Sequence, residues 1–271
     1  MLTSVAASPA VSLDTAASRV RLGVVCPMAN ERDTAERFVR EVIAACEPFR
    51  FRSVTFYAVL DGVSRDGTLD LLRELEPSLP QLRVVWAPEN RCVVDAYLRG
   101  YREALDSGCD WVLEIDAGYS HQPSDIPAFF EKMAEGHDCV FGTRFGAGGR
   151  ITESPLKRRL ISRGGTALTN LLLGTKLSDM TSGFELFSRA ALQQVLRKGV
   201  HSRGHFFQTE IKAHCRNLRV AEVPIHYRAA SDSVNREVLK DALRNLWRLF
   251  RARVAEPRAA AGGELEQDGL G

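Results

Sequence analysis

Asp116 closes an apolar run in WVLEIDAGYSHQP (111–123), and Gly118 stands two places on, where a second acid would complete a pair. A carboxylate only accepts hydrogen bonds, so it suits hydroxyls, an imide N–H or a hard cation. Other apolar runs also end in polar residues: Asn30 and Glu31, Asp61, Asn90 and Arg91, and Arg144. Gathered at one rim, they would suit a charged, hydroxyl-rich ligand. Each can equally cap the helix that follows it. A second pattern is basic. Arg150, Lys157, Arg158, Arg159 and Arg163 fall within fourteen residues. Guanidinium forks pair with phosphate oxygens, although such a run also serves as a solvated helix face.

These side chains need elements to bring them together. RLGVVCPMANE (21–31) reads as a buried strand closed by Pro27. Residues 30–47 have helical spacing, with Phe38, Val42, Ile43 and Cys46 on one face. SVTFYAVLDG (53–62), LRVVWAPEN (82–90), DWVLEID (110–116) and DCVFGTR (138–144) read as further strands. Helices are expected over 64–75, 93–107 and 123–136. Such alternation predicts an α/β fold, a mostly parallel sheet with helices on both faces. Ligands then sit beyond the carboxyl ends of the strands. After residue 145 come a Gly-rich loop, a helix pair or one broken helix over 155–174, and a turn, short strand and helix start over 176–192. A helix in FFQTEIKAHCRN and a strand over 219–228 follow.

With 271 residues, 45% of them hydrophobic, the chain can bury a large core. A net charge of +2 argues against nucleic acid as a partner. The six cysteines include no C-x-x-C pair, which favours reduced thiols in a cytoplasmic protein over a zinc site. No apolar stretch approaches the ~18 residues of a membrane span, and the N-terminus is a poor signal peptide. Residues 235–254 place Arg236, Lys240, Arg244, Arg248 and Arg251 beside a stripe of Leu239, Leu243, Leu246, Trp247 and Phe250. That helix can lie peripherally on the inner face of an anionic membrane or pack on the body of the protein. The expected organisation is disordered tails at 1–19 and 255–271, a domain over 20–230 and the amphipathic helix over 231–254.

Several segments, in order, resemble motifs of family 2 glycosyltransferases, most closely the polyprenyl (dolichyl) phosphate sugar synthases. CPMANE resembles the first-strand motif. LDGVSRDGT resembles D-D-G-S-x-D-G-T, with Gly62 for the second acid. NRCVVDAYLRGY, FGTRF, PLKRRLISRGG, SDMTSGFELFSR, GHFFQTEI and VAEVPIHYR resemble later ones, over about residues 21–250. EIDAGYSHQP takes the place of the metal-binding D-A-D-x-x-H-x-P, with Gly118 for the second acid.

The resemblance implies a GT-A fold and inverting transfer of a sugar from a UDP- or GDP-linked donor to a phosphorylated, polyprenyl acceptor. It implies that Pro27, Ala29, Glu31 and Asp61 line the nucleoside pocket, with Arg91, Ala117 and Gly118 also facing the donor. Asp116 would bind Mg²⁺ or Mn²⁺ at a weakened site, with His121 in the right loop to help and His226 a second candidate. Either histidine can instead be a packing residue. Arg144, Arg158 and Ser162 would hold the acceptor phosphate. A metal-independent variant would set Arg144 and Lys157 against the diphosphate. Asp179 would orient the acceptor or take its proton, or simply cap a turn. Gln208 and Glu210 would lie near the donor sugar. A single in-line displacement needs no enzyme nucleophile, and no Ser-His or Cys-His signature is present.

Two alternatives stay open. The acceptor can be a soluble small molecule or natural-product intermediate. Alternatively, two missing acids can mark a non-catalytic nucleotide-sugar-binding protein. Nucleotidyl transfer is disfavoured, because CPMANERDTAERF is not a Gly-rich, basic phosphate loop.

Overall fold

Apolar runs too hydrophobic for one wet face become strands buried on both sides. A computed structural model describes residues 18–152, 156–228 and 236–255. The strands are β1 (Arg21–Pro27), β2 (Ser53–Leu60), β3 (Leu82–Trp86), β4 (Trp111–Glu114), β5 (Cys139–Thr143), β6 (Arg150–Thr152), β7 (Glu185–Ser188), β8 (Val220–Pro224) and β9 (His226–Arg228). Seven form one sheet in the order β3-β2-β1-β4-β7-β5-β8. Every pairing in it is parallel except those of β7, which runs against both β4 and β5. The carboxyl ends of six strands and the amino end of β7 therefore share one rim.

The helices are α1 (Ala35–Cys46), α2 (Thr68–Leu75), α3 (Val93–Asp106), α4 (Ile126–Ala134), α5 (Leu156–Leu173), α6 (Arg189–Lys198), α7 (Phe207–His214) and α8 (Arg236–Ala255). On one face of the sheet Val24, Cys26, Phe56 and Leu113 pack with Phe38 and Val42 of α1 and Phe129 and Phe130 of α4. On the other, Val25, Tyr57 and Val112 pack with Tyr97 and Tyr101 of α3, Leu192 of α6 and Ile211 of α7. Each such side chain contributes about 1.5–3 kcal/mol by leaving water. Gly100 lets α3 approach the sheet. A Cβ there would lie 2.3 Å from Val25 Cγ1.

Two elements differ from expectation. Residues 156–173 form one unbroken helix, because Gly164 and Gly165 face open space and lack only intrinsic propensity. The run 219–228 divides at Ile225. Pro224 offers no N–H, and the chain passes from β8 in the large sheet to β9, which pairs with β6. Helix α8 splits its apolar stripe. Leu246 and Leu249 are buried with Leu173 of α5 and Ala213 of α7, whereas Leu239, Leu243 and Trp247 are exposed. The tails expected at 1–19 and 255–271 lie almost wholly outside the described residues, as does 229–235.

Candidate active site

The tip of β1 is strapped to the tip of β2. Asn30, at φ 60°, accepts the Arg65 N–H through Oδ1 at 2.9 Å and donates through Nδ2 to Val63 O at 3.3 Å. The Glu31 N–H donates to Thr68 Oγ1 at 2.9 Å. Its carboxylate accepts the Thr34 hydroxyl on Oε2 at 2.9 Å. Burial raises the Glu31 carboxyl from its ordinary value, against the lowering effect of Thr34. Asp61 accepts the Val63 N–H at 2.9 Å, which closes its turn. Pro27 is half-buried and Ala29 exposed beside this strap. Arg91 is exposed, and its N–H is held by Asp95 Oδ2 at 3.0 Å.

Asp116 follows β4 on the same rim, with its side chain 40% exposed. The Tyr97 hydroxyl, from α3, donates to Asp116 Oδ1. Burial and then the Asp116 charge raise the Tyr97 phenol well above its ordinary value, so it keeps its proton. Ala117 is half-buried, and Gly118 takes φ +69°.

His121 corrects an expectation. The Asp116 N–H donates to its Nδ1 at 3.1 Å. The ring is 1% exposed, stacked on Phe184 at 5.0 Å and against Tyr227 at 5.3 Å. Burial lowers its pKa to about 4, so it is neutral. A neutral imidazole accepting at Nδ1 carries its proton on Nε2, which leaves neither nitrogen a lone pair for a cation. His226 Nε2 is paired with Thr152 Oγ1 at 3.3 Å.

Arg144, directly after β5, and Asp179, in the turn before β7, meet in a buried bidentate pair. The Arg144 backbone N–H adds a third bond to Asp179 at 3.1 Å. Burial alone would raise the Asp179 carboxyl. Arg144 prevails and holds it far below the usual carboxylate range. Both Asp179 oxygens are committed, so the expected role as proton acceptor is replaced by that of holding Arg144. The Arg144 guanidinium lies over Phe145 and Tyr227, each at 5.3 Å. Arg163 lies over the same Phe145 ring at 5.2 Å, which brings α5 to this end of the rim. Ser162 beside it is half-buried. The backbones of Lys157 and Arg158 begin α5, but their side chains lie outside the described residues.

Two expected sugar-side residues serve the interior. Gln208, 5% exposed, donates to Glu114 Oε1, while the Tyr101 hydroxyl donates to Oε2. Glu114 faces Glu185 across β4 and β7, and Lys212 sits 3.2 Å from Glu185. Glu210 is fully buried. It accepts the N–H groups of His201 and Ser202 and pairs with Arg248 of α8. Its contacts fix the 201–202 turn and α8, which corrects its placement near a sugar.

Sequence reading missed Tyr97, Glu114, Glu185 and Lys212. Tyr97 and Tyr101 share a face of α3 at i, i+4, a spacing that signals core. Arg163 stood in the basic run without being singled out.

Residues 23–196 match the family model described as Glycosyl transferase family 2. An undecaprenyl-phosphate mannosyltransferase of Micrococcus luteus is 31% identical over 171 residues, covering 62% of this chain and 70% of that protein. A polyprenol monophosphomannose synthase of Mycolicibacterium smegmatis is 29% identical over 207 residues, 75% of this chain and 76% of that one. Among solved structures, glucosyl-3-phosphoglycerate synthase of Mycobacterium tuberculosis with Mn²⁺, UDP-glucose and phosphoglyceric acid superposes with a TM-score of 0.63. It has 19% identity and covers 94% of this chain and 87% of that one. The same enzyme with Mg²⁺ and UDP gives a TM-score of 0.60 at 20% identity, over 94% and 86% of the two chains.

Proposed function

The chain belongs to glycosyl transferase family 2, and from that premise we propose that it transfers a sugar, with inversion, from a UDP- or GDP-linked donor to a polyprenyl phosphate. The observation that carries this reading is the shared rim. Asp61, Glu31 and Asp116 follow parallel strands, and two guanidiniums, Arg144 and Arg163, meet on Phe145 at the end where β5 and β7 adjoin. An acidic side suits ribose, base and cation, and a cationic side suits phosphate. The names of the relatives, which act on undecaprenyl phosphate and polyprenol, support the lipid acceptor.

In this reading Pro27, Ala29, Glu31, Asp61 and Arg91 surround the nucleoside, and Ala117 and Gly118 pass under the diphosphate. Arg144, fixed by Asp179, and Arg163, with Ser162, Arg158 and Lys157 on the same helix, hold the acceptor phosphate. That phosphate is already ionised, so attack on the anomeric carbon needs no base, in keeping with the committed state of Asp179.

A divalent cation fits the donor set in part. Among the described residues Asp116 Oδ2 accepts no hydrogen bond, and its side chain is 40% exposed, while Gly118 offers no side chain. Among the described residues no three His, Cys, Asp or Glu side chains form a cage. Mg²⁺ and Mn²⁺ tolerate one or two protein carboxylates when phosphate and water complete the shell. Such a cation, held by Asp116, would neutralise charge on the departing diphosphate.

No described helix is long and apolar enough to cross a membrane. We assign lipid access to peripheral contact. Leu239, Leu243 and Trp247 of α8 and Leu168 and Leu171 of α5 are exposed on two helices that pack together.

The test is transfer of radiolabelled sugar from UDP- and GDP-linked donors to polyprenyl phosphate in detergent, followed by solvent extraction. Label in the organic phase is expected. Label moved only to water-soluble phosphorylated acceptors would replace the lipid by a soluble one. Tight nucleotide binding without turnover would make the chain a binding protein.

A further inference from the structure

The half-buried ring of Tyr227, on β9, touches residues of both the acidic and the cationic side of the rim. The Arg144 guanidinium lies over it, 5.3 Å from its centroid. The His121 imidazole meets the same ring at 5.3 Å and an interplanar angle of 52°. That imidazole accepts the Asp116 N–H at 3.1 Å. One ring is therefore in contact with the guanidinium assigned to the acceptor phosphate and with the side chain that fixes the backbone of the donor-side carboxylate.

The backbone around Tyr227 is tied to the same two segments. On one edge of β9, Tyr227 bridges His121 in antiparallel fashion and the Arg228 N–H donates to Ser120 O at 2.9 Å. The His226 N–H donates to Asp125 Oδ2 at 2.7 Å on that edge as well. These contacts anchor β9 to the chain that follows Asp116. On the other edge β9 pairs with β6 in the register Ile151↔Tyr227, and the Arg150 N–H donates to Ile225 O at 3.0 Å. The short loop 145–149 joins β6 to Arg144. Thus β9 splints the loop of Asp116 to the loop of Arg144.

The two sides also act on each other electrically. Burial disfavours the Arg144 charge, the Asp179 bonds more than offset it, and the Asp116 charge adds to them. Asp179 binds Arg144 to the turn before β7, whereas Tyr227 ties it to the loop of Asp116. Transfer requires the phosphate oxygen and the anomeric carbon at one fixed distance and in line.

We propose that Tyr227 is a positioning residue: its ring, carried by β9, is the spacer that sets the separation between a donor at the Asp116 loop and an acceptor phosphate at Arg144. This inference rests on the transferase reading. A spacer acts on the reaction more than on the binding of either substrate. Without the ring, Arg144 keeps its Asp179 bonds and His121 keeps the Asp116 N–H, so each side still binds its own ligand.

The experiment is steady-state transfer by the full chain in detergent, with donor and polyprenyl phosphate varied separately. The donor is UDP-glucose or GDP-mannose, whichever the wild type turns over faster. Tyr227→Leu is expected to lower kcat about ten- to a hundredfold, the scale on which a misplacement of about 1 Å acts. Both KM values should stay within about threefold. Tyr227→Phe keeps the ring and should hold kcat within about threefold of the wild type. Tyr227→Met, which fills the space without a rigid ring, is the second variant and should lose kcat as Tyr227→Leu does. Circular-dichroism melts confirm that each variant folds, and titration with UDP or GDP should give the wild-type Kd. Wild-type kcat in either folded ringless variant overturns the proposal and leaves sugar transfer standing. A loss confined to acceptor KM also overturns it, because Tyr227 would then be a wall of the phosphate site. So does a Tyr227→Phe as slow as Tyr227→Leu, since the hydroxyl and not the ring would act. A wild-type chain that transfers no sugar overturns the transferase reading and this inference together.

Discussion

Arg144 and Asp179 lock together through two parallel bonds, Nε to Oδ2 at 2.7 Å and Nη2 to Oδ1 at 2.9 Å, with the Asp179 carboxylate fully buried. The pair fixes one guanidinium at the rim while joining the loop after β5 to the turn before β7. Asp179→Asn would leave Arg144 buried without its counter-charge, at a cost of about 3–5 kcal/mol. Thermal melts should show that loss. Transfer should fall mainly through acceptor KM, because Arg144 loses its orientation. The sign with pH follows from the depressed Asp179 value. Stability from the pair is present above the unfolded value of about 4 and declines as pH falls toward the folded one. Wild type and Asp179→Asn should therefore converge in melting temperature below about pH 4. A constant gap would refute the linkage.

Tyr97→Phe tests how Asp116 is aimed. The change removes the hydroxyl that donates to Asp116 Oδ1 and leaves the ring packed against Tyr101 and Phe207. A support residue of this kind is worth about ten- to a hundredfold. The loss should appear in kcat and in the Mn²⁺ concentration for half-activation, with donor KM little changed. Asp116→Ala should lower turnover by orders of magnitude. Equal rates in wild type and Tyr97→Phe would show that Asp116 needs no orienting partner.

Beneath the rim, Glu114 and Glu185 oppose each other with Lys212 as their buried cation. Burial raises both carboxyls, Glu185 to about 7. A carboxyl raised on folding binds its proton more tightly in the native state. Its contribution is full below about 4.3, the unfolded value, and fades as pH rises through the folded value. Glu114→Gln mimics the protonated acid, and Gln208 can turn its unpartnered Oε1 toward the new amide. Melting temperatures from pH 5 to 9 should thus decline less steeply in Glu114→Gln than in wild type. Lys212→Met should cost about 3–5 kcal/mol by stranding a charge.

Arg163→Ala removes an exposed side chain that meets Arg144 only across Phe145. Stability should hold. Acceptor KM should rise severalfold while donor KM stays. An effect confined to the donor would move Arg163 to the other end of the rim.

The strands were legible because each is an apolar run ending in a polar residue, and parallel pairing turns those ends into one rim. Asp61, Asp116 and Arg144 could be read in this way. What stayed hidden depends on contacts between distant segments. Nothing local says that Tyr97 reaches Asp116 or that Asp179 clasps Arg144. His121 misled for a local reason instead: its Nδ1 is occupied by a backbone N–H within its own loop. Glu210 read as a site acid because the partner that neutralises it, Arg248, lies on another helix.

The last prediction concerns the lipid. On α8, Leu239, Leu243 and Trp247 recur every fourth residue and are 53%, 55% and 60% exposed, and on neighbouring α5 Leu168 and Leu171 are 46% and 76% exposed. Lys240, Arg244 and Arg251 stand among them on α8. A helix wholly fitted to the protein body would turn these apolar groups inward, as Leu246 and Leu249 do. Anionic vesicles should therefore bind the chain more tightly than neutral ones, with a blue shift of tryptophan emission, and added salt should weaken the binding. Each apolar side chain that leaves water contributes about 1.5–3 kcal/mol when fully buried. Leu243→Ser with Trp247→Ser should thus lower partitioning at least tenfold, while the melting temperature holds because neither side chain supports the core. If the double variant sediments with vesicles as the wild type does, the two helices do not form the lipid-facing surface.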